Sequence, residues 1–218
     1  MSLPDSVIPL DRSAMAARVA RDIPEGWYVN LGIGIPTLVA DAVPDGREVL
    51  FHSENGILGI GPAAAKNAVD PWLVNAGKQH ITLVRGGSFF DHASSFGMIR
   101  GGHIDLCVLG AYEVSASGDL ANWATSANDT APAVGGAMDL AAGSKRVWVV
   151  MEHTTKSGDP RVVDECSYPL TAPRAVSRIY TNLAVLEVTG EGLRVIEMID
   201  GLSRADLEDR TATRLIWD

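Results

Sequence analysis

Ser53-Glu54-Asn55-Gly56 closes an apolar run of strand length, Glu48 to Ser53. The carboxyl end of a strand is where open α/β sheets gather their ligands. A carboxylate there can serve as base or nucleophile, beside an amide side chain and a glycine that lets a substrate approach the backbone. On its residues alone, Glu54 is either that catalytic group or an ordinary turn carboxylate. Gly32-Ile33-Gly34-Ile35-Pro36 is the second candidate. It leads from a strand, Tyr28 to Leu31, into a helix expected over Pro36 to Val43, because proline suits the first helical position. The unpaired N–H groups of such a helix start receive carboxylates, phosphates or oxyanions. Plain loop geometry explains the same residues equally well.

Other chemistries find little support. The sequence holds no Gly-x-Ser-x-Gly elbow, Walker loop, His-Glu-x-x-His helix or Cys-x-x-Cys pair. Gly59-Ile60-Gly61-Pro62-Ala63-Ala64 loosely fits a dinucleotide fingerprint, but it begins inside a glycine-rich loop, Ile57 to Pro62, rather than after a clear strand, and has no obvious acidic partner. Histidines 52, 80, 92, 103 and 153 lack ligand spacing, so no metal site is expected. Cys107 and Cys166 stand far apart, which implies neither a disulfide framework nor a zinc site and suits a reducing cytoplasm.

The elements that must carry these groups alternate. Asp11 to Ile23 has apolar residues at helical spacing and stops at Pro24-Glu25-Gly26. Ile81 to Val84, Ile104 to Leu109 and Val147 to Met151 are further strand-length apolar runs. Leu183 to Thr189 and Leu193 to Met198 flank Gly190-Glu191-Gly192 as a hairpin, and Ser203-x-x-Asp206 forms a capping box ahead of a last helix. The pattern predicts an α/β fold with an open, mostly parallel sheet covered by helices on both faces. A single domain over residues 1–218 is expected, with residues 1–10 disordered.

The 218 residues are enough for one sizeable core. With 18 Lys plus Arg against 27 Asp plus Glu the net charge is −9, which argues against a duplex nucleic-acid binder. No signal peptide is visible, and no apolar run reaches the roughly 20 residues a bilayer requires. A cytoplasmic protein with neither nucleic-acid nor membrane partners is expected.

Several stretches together resemble the β subunit of family I CoA-transferases, the 3-oxoacid CoA-transferase group. They are Tyr28-Val29-Asn30-Leu31-Gly32-Ile33-Gly34-Ile35-Pro36, Ser53-Glu54-Asn55-Gly56-Ile57-Leu58-Gly59-Ile60-Gly61-Pro62, Asn75-Ala76-Gly77-Lys78, Ser88-Phe89-Phe90, Met98 to Asp105, Gly118 to Trp123 and Gly135 to Leu140. The likeness runs in order from about residue 10 to residue 210. It implies the fold shared by sugar-phosphate isomerases and CoA-transferases. It also implies that Glu54 is a nucleophile moving CoA from succinyl-CoA to a 3-oxoacid, acetoacetate or 3-oxoadipate, by ping-pong chemistry through a glutamyl-CoA thioester. Asn30 and backbone N–H groups at Gly136 and Ala137 would then serve the oxyanion. Lys78, Gly32, Gly34, Asn55, Gly56 and Gly135 would bind substrate or CoA.

By the same resemblance the chain needs an α subunit, in an α2β2 assembly, and exposes an apolar patch that self-associates when isolated. No tightly bound cofactor is implied; the coenzyme A thioester is a substrate. An acyl-CoA hydrolase using Glu54 and a non-catalytic CoA-transferase-like chain are the alternatives, with a sugar-phosphate isomerase more remote. Two departures stand out. Residues 124–134 lack the lysine of the family's corresponding segment, which bears on acyl or CoA preference, and His52 stands where the family often has Gln.

Overall fold

Residues 4, 7–65, 67, 69–126 and 134–217 are described in the computed structural model of the chain. Helix α1 (Arg12–Asp22) starts where the Asp11 carboxylate accepts the Ala14 N–H at 2.8 Å, and it buries Met15, Ala16 and Val19. Val7 is buried and the Leu10 N–H donates to Asn182 O, so the disorder expected through residue 10 does not hold from Val7 onward.

Strand β1 (Tyr28–Leu31) leads through Gly34, at φ 94°, into a 3-10 helix, Ile35–Ala42. The helix expected over Pro36 to Val43 is present there in 3-10 form. The segment is short and carries the β-branched Ile35, Thr37 and Val39, which lose rotamer freedom in an α-helix, and short pieces are where 3-10 turns are found. Next come β2 (Leu50–Ser53), β3 (Ile57–Ala63) and β4 (Ile81–Phe89). Strand β3 replaces the loop expected over Ile57 to Pro62, and it pairs antiparallel with both neighbours. Its glycines serve crowding between strands. A Cβ on Gly59 would lie 2.8 Å from Gly87 Cα, so this stretch opens no helix and is no dinucleotide loop.

The remaining elements are α2 (His92–Arg100), β5 (Leu106–Leu109), β6 (Glu113–Ser115), β7 (Leu120–Ala121), α3 (Ala137–Gly143), β8 (Val147–Met151), β9 (Val162–Val163), β10 (Val176–Thr181), β11 (Ala184–Thr189), β12 (Gly192–Met198), α4 (Arg204–Glu208) and β13 (Leu215–Ile216). The hairpin β11–β12 and the Ser203–Asp206 capping box form where the sequence places them. One ten-stranded sheet runs β13-β12-β11-β10-β8-β5-β1-β2-β3-β4, with β2, β1, β5, β8 and β10 mutually parallel at its centre. A small sheet, β7-β6-β9, packs beside it.

Alternation along the central strands divides the core. Leu106, Val108, Trp148 and Val150 meet α1 and the 3-10 helix on one face. Cys107, Leu109, Val147 and Val149 join Ile99 of α2 and Leu140 of α3 on the other. Strands buried on both faces are what the apolar runs predicted. Among the described residues no helix is long and apolar enough to cross a membrane.

Candidate functional site

Three parallel strands end together. Asn30 of β1 is in register with His52 of β2 on one side and with Cys107 of β5 on the other. Paired positions share a face, so these side chains form a polar row on the α2/α3 side of an otherwise apolar sheet. Glu54 lies two residues beyond His52 and therefore continues the same face.

Glu54, half-buried, opens into a cavity of about 580 Å³ at the carboxyl edge of the parallel strands. Its walls come from Gly32 and Ile33 after β1, Leu109 to Tyr112 after β5, Ala76, Asn122 and Trp123, and residues 134–137 leading into α3. Burial pushes the Glu54 carboxyl above its ordinary value, with the Asn30 side-chain hydrogen bond and the nearby His92 pulling the other way. The result is a partly desolvated carboxylate with an amide donor beside it.

Asn30 is fully buried and, like Gly34 and Lys78, is not among the residues that line the cavity, although its neighbour Leu31 is. Its Nδ2 lies 3.1 Å from His52 Nδ1 and donates to His52 O at 3.3 Å, while Oδ1 lies 3.8 Å from Cys107 Sγ. Burial lowers the His52 pKa to about 4 and pushes the Cys107 thiol far up, so both are neutral at pH 7. Across the cavity, a Cβ on Gly136 would lie 3.8 Å from Glu54 Oε1 and 3.1 Å from the Phe96 ring. Only a glycine keeps that space open. The Ala137 N–H already donates to Val134 O at 3.3 Å.

The glycines differ in what they do. Gly32 lines the cavity and extends the β1–β5 ladder, its N–H donating to Val108 O at 2.8 Å. Gly135 also lines the wall. Gly56 makes the reversal into β3: its φ is 110°, and a Cβ there would collide with Phe90 O. Gly34 and Lys78 are exposed and stand outside the Glu54 wall, as does Gly56.

The residues on either side of Glu54 hold a neighbouring loop. Ser53 Oγ accepts the Ala76 N–H at 3.0 Å, and Asn55 Nδ2 donates to Val74 O at 2.8 Å. Asn55 thus spends its amide on the backbone of the loop that carries Lys78, whose φ is 63°. Sequence reasoning gave no role to His52, Ser95, Phe96, Ala76, Tyr112 or Trp123. His52 was open to discovery, since it stands two residues before Glu54 on the same strand face; the others arrive through tertiary packing. Residues 127–133, the larger part of the divergent 124–134 stretch, lie outside the described residues.

Comparison with known proteins agrees with the resemblance in the sequence. A family model described as Coenzyme A transferase matches residues 12–208. The chain is 58% identical over 207 residues to the B subunit of a 3-oxoadipate CoA-transferase of Pseudomonas putida, covering 95% of this chain and 97% of that protein. It is 49% identical over 200 residues to the B subunit of a succinyl-CoA:3-ketoacid coenzyme A transferase of Helicobacter pylori, covering 92% and 96%. In fold it is similar to the crystal structure of an acyl-CoA transferase, YdiF, of Escherichia coli O157:H7, with a TM-score of 0.73 at 21% identity over 100% of this chain and 43% of that one.

Proposed function

The chain belongs to the coenzyme A transferase family, and from that premise we propose that it carries the nucleophile, Glu54, of a transferase moving CoA from succinyl-CoA to a 3-oxoacid. The acceptor is acetoacetate or 3-oxoadipate, in keeping with the names of the two relatives. The observation that carries the reading is the half-buried Glu54 carboxylate facing the cavity, with the Asn30 amide on one side and the space of Gly136 on the other.

In this reading the Glu54 carboxylate attacks the thioester carbonyl of the donor. The carbon–sulfur bond breaks, CoA leaves as thiolate, and an acyl-glutamyl anhydride remains. The thiolate attacks the Glu54 side-chain carbonyl, releasing the donor's carboxylate and leaving CoA as a thioester on Glu54. The acceptor acid reverses both steps. One thioester replaces another, so the exchange needs neither metal nor ATP.

A carboxylate is a weak nucleophile, and partial desolvation of Glu54 together with binding contacts along the CoA chain offsets that weakness. Asn30 and the Gly136 N–H donate to the oxyanion, each worth about 3 kcal/mol where well aimed. Ala137 contributes once its N–H leaves Val134 O. Gly32 and Gly135 let the acyl group approach the wall, while Gly34, Asn55 and Gly56 shape the loops around it. Lys78, the cation of the loop that supplies Ala76 to the wall, meets CoA phosphates.

Both relatives are named as the B subunit of their enzymes, which supports a separate α subunit for this chain, in an α2β2 complex. Ile33 (72% exposed), Trp72 (91%) and Phe89 (65%) are the apolar groups that such a partner covers, and they promote self-association of the isolated chain. Reduced, unpaired Cys107 and Cys166 suit a cytoplasmic setting.

The test pairs the chain with its α subunit, adds succinyl-CoA, reduces with borohydride and maps modified residues by mass spectrometry. Modification at Glu54 that is absent from Glu54→Ala supports the transferase. CoA transfer that survives Glu54→Ala or Glu54→Gln overturns the mechanism, and release of free CoA with no transfer to an acceptor acid identifies a hydrolase instead.

A further inference from the structure

We propose that His52 is a positioning residue for the nucleophile, fixing the Asn30 amide in the one orientation that presents an N–H to Glu54; this deepens the reading of Glu54 given above and rests on it. The hydrogen-bond inventory around Asn30 supports it. The His52 carbonyl, 3.3 Å from Nδ2, only accepts, and the ionised Glu54 carboxylate only accepts. Both therefore require the NH₂ end of the amide, whose two hydrogens divide so that one is shared between His52 O and His52 Nδ1, at 3.3 and 3.1 Å from Nδ2, and the other is left for Glu54. The other end, Oδ1, faces the Cys107 thiol at 3.8 Å, a weak donor that stays protonated in its buried place.

With the NH₂ end so placed, His52 Nδ1 at 3.1 Å has to be a bare acceptor, because an amide nitrogen has no lone pair to offer. The ring proton then sits on Nε2 and donates to Ser95 Oγ at 3.0 Å. Ser95 is fully buried on α2, and Phe90 stacks against the imidazole at a centroid distance of 5.9 Å, so the ring cannot turn freely. Ser95, His52 and Asn30 form a directed chain ending at Glu54. A proton on Nδ1 would oppose the Asn30 N–H and drive the amide away from the carboxylate.

The titratable groups around the ring are Glu54 at the end of its own strand, His92 beside Glu54 on α2, Cys107 on β5, and Asp41 and His80, which share a small cavity with it on the opposite side. Of these, Glu54 and Cys107 are joined to His52 through a shared partner, Asn30: the thiol stays protonated against Oδ1, which leaves Glu54 as the charged group that the amide nitrogen serves.

The experiment uses the complex with the α subunit and compares wild type, His52→Phe, His52→Gln, Ser95→Ala, Asn30→Ala and the double variant His52→Phe/Asn30→Ala. His52→Phe keeps the stack on Phe90 and removes both ring nitrogens. It is expected to lower kcat about tenfold with little change in KM for the acyl-CoA. The acid limb of kcat/KM is expected to move to higher pH, because the carboxylate has lost its aligned donor. Gln supplies an acceptor again and restores most of the activity. Adding His52→Phe to Asn30→Ala should change nothing further, since the two act through one contact.

An unchanged kcat and acid limb in a folded His52→Phe complex overturns the proposal, as does a His52→Phe loss that adds in full to that of Asn30→Ala. If His52→Phe does not fold, Ser95→Ala carries the test: an upward shift of the limb supports the chain, and an unmoved limb overturns it. Failure of the underlying reading shows separately, as a wild-type complex that forms no thioester on Glu54.

Discussion

Asn30 and His52 are direct partners across the parallel β1–β2 pair, and the amide nitrogen of one lies 3.1 Å from Nδ1 of the other inside the core. That contact places two buried polar groups where most of the sheet carries Val, Leu and Phe, and it satisfies both. The same register brings Cys107 to the far side of Asn30. The polar row is therefore a property of strand alignment, and Glu54 stands at its end.

Asn30→Ala is expected to lower kcat by about a hundredfold through loss of an oxyanion donor. It also leaves His52 Nδ1 without its donor in the core, which costs about 1–2 kcal/mol of stability. Steady-state kinetics of the complex against acyl-CoA, with thermal unfolding alongside, separates the two effects. Equal loss in kcat and in CoA affinity would remove Asn30 from the oxyanion site.

Glu54 has to be ionised to attack, and burial raises its pKa. The acid limb of kcat/KM should therefore lie above the ordinary carboxylate range, with activity rising as pH climbs through it. The same burial penalises the ionised form in the folded state. Glu54→Gln should raise Tm at pH 7, and the gap from wild type should shrink as pH falls and Glu54 itself takes up a proton. A gap that widens in acid would contradict this.

Gly56→Ala and Gly136→Ala test two different needs for glycine. At Gly56 the backbone has φ 110° and a Cβ would collide with Phe90 O, so the fold should lose on the order of 3 kcal/mol or more. Gly136 has an ordinary φ of −76°, and its Cβ would meet the end of the Phe96 ring at 3.1 Å. Its substitution should cut turnover while moving Tm by only a few degrees. Denaturant unfolding and kcat, measured together, distinguish the two.

His52 and His153 are both buried with pKa values lowered to about 4, and His153 is held between Thr181 at 2.9 Å and Thr211 at 3.0 Å. Unfolded histidine takes up its proton near pH 6.5. Their contribution to stability is complete above that pH and is lost as pH falls toward 4. Each adds a slope of up to roughly 1.4 kcal/mol per pH unit in that window. Urea unfolding between pH 7 and pH 4.5 should show the slope, and His153→Gln should reduce it by up to one proton.

β8 was legible in the sequence because burial on both faces leaves an uninterrupted apolar run, and β1, though Asn30 interrupts it, also begins and ends where its residues predict. The hairpin β11–β12 and the Ser203–Asp206 cap were legible because turn and cap chemistry is local. Strand β3 was not, since its Gly59 and Gly61 suggest a loop until β4 lies against them. At Ile35–Ala42 proline and apolar spacing predict a helix but do not distinguish the 3-10 form from the α form. The bond from the Asn55 amide to Val74 O was not legible either, since it joins residues on separate elements.

What the sequence determined by itself is the family and, through the alternation of apolar strands and helices, the architecture that sets Glu54 at a carboxyl strand end. These depend on residue order and local period alone. Only the tertiary structure decided which groups surround that carboxylate. Asn30, His52 and Cys107 are separated by tens of residues and meet through the register of three parallel strands, while Ser95, Phe96 and Gly136 reach the site on helices packed across one face of the sheet. Register and helix docking are set by the whole core at once, and a local stretch of sequence does not record them.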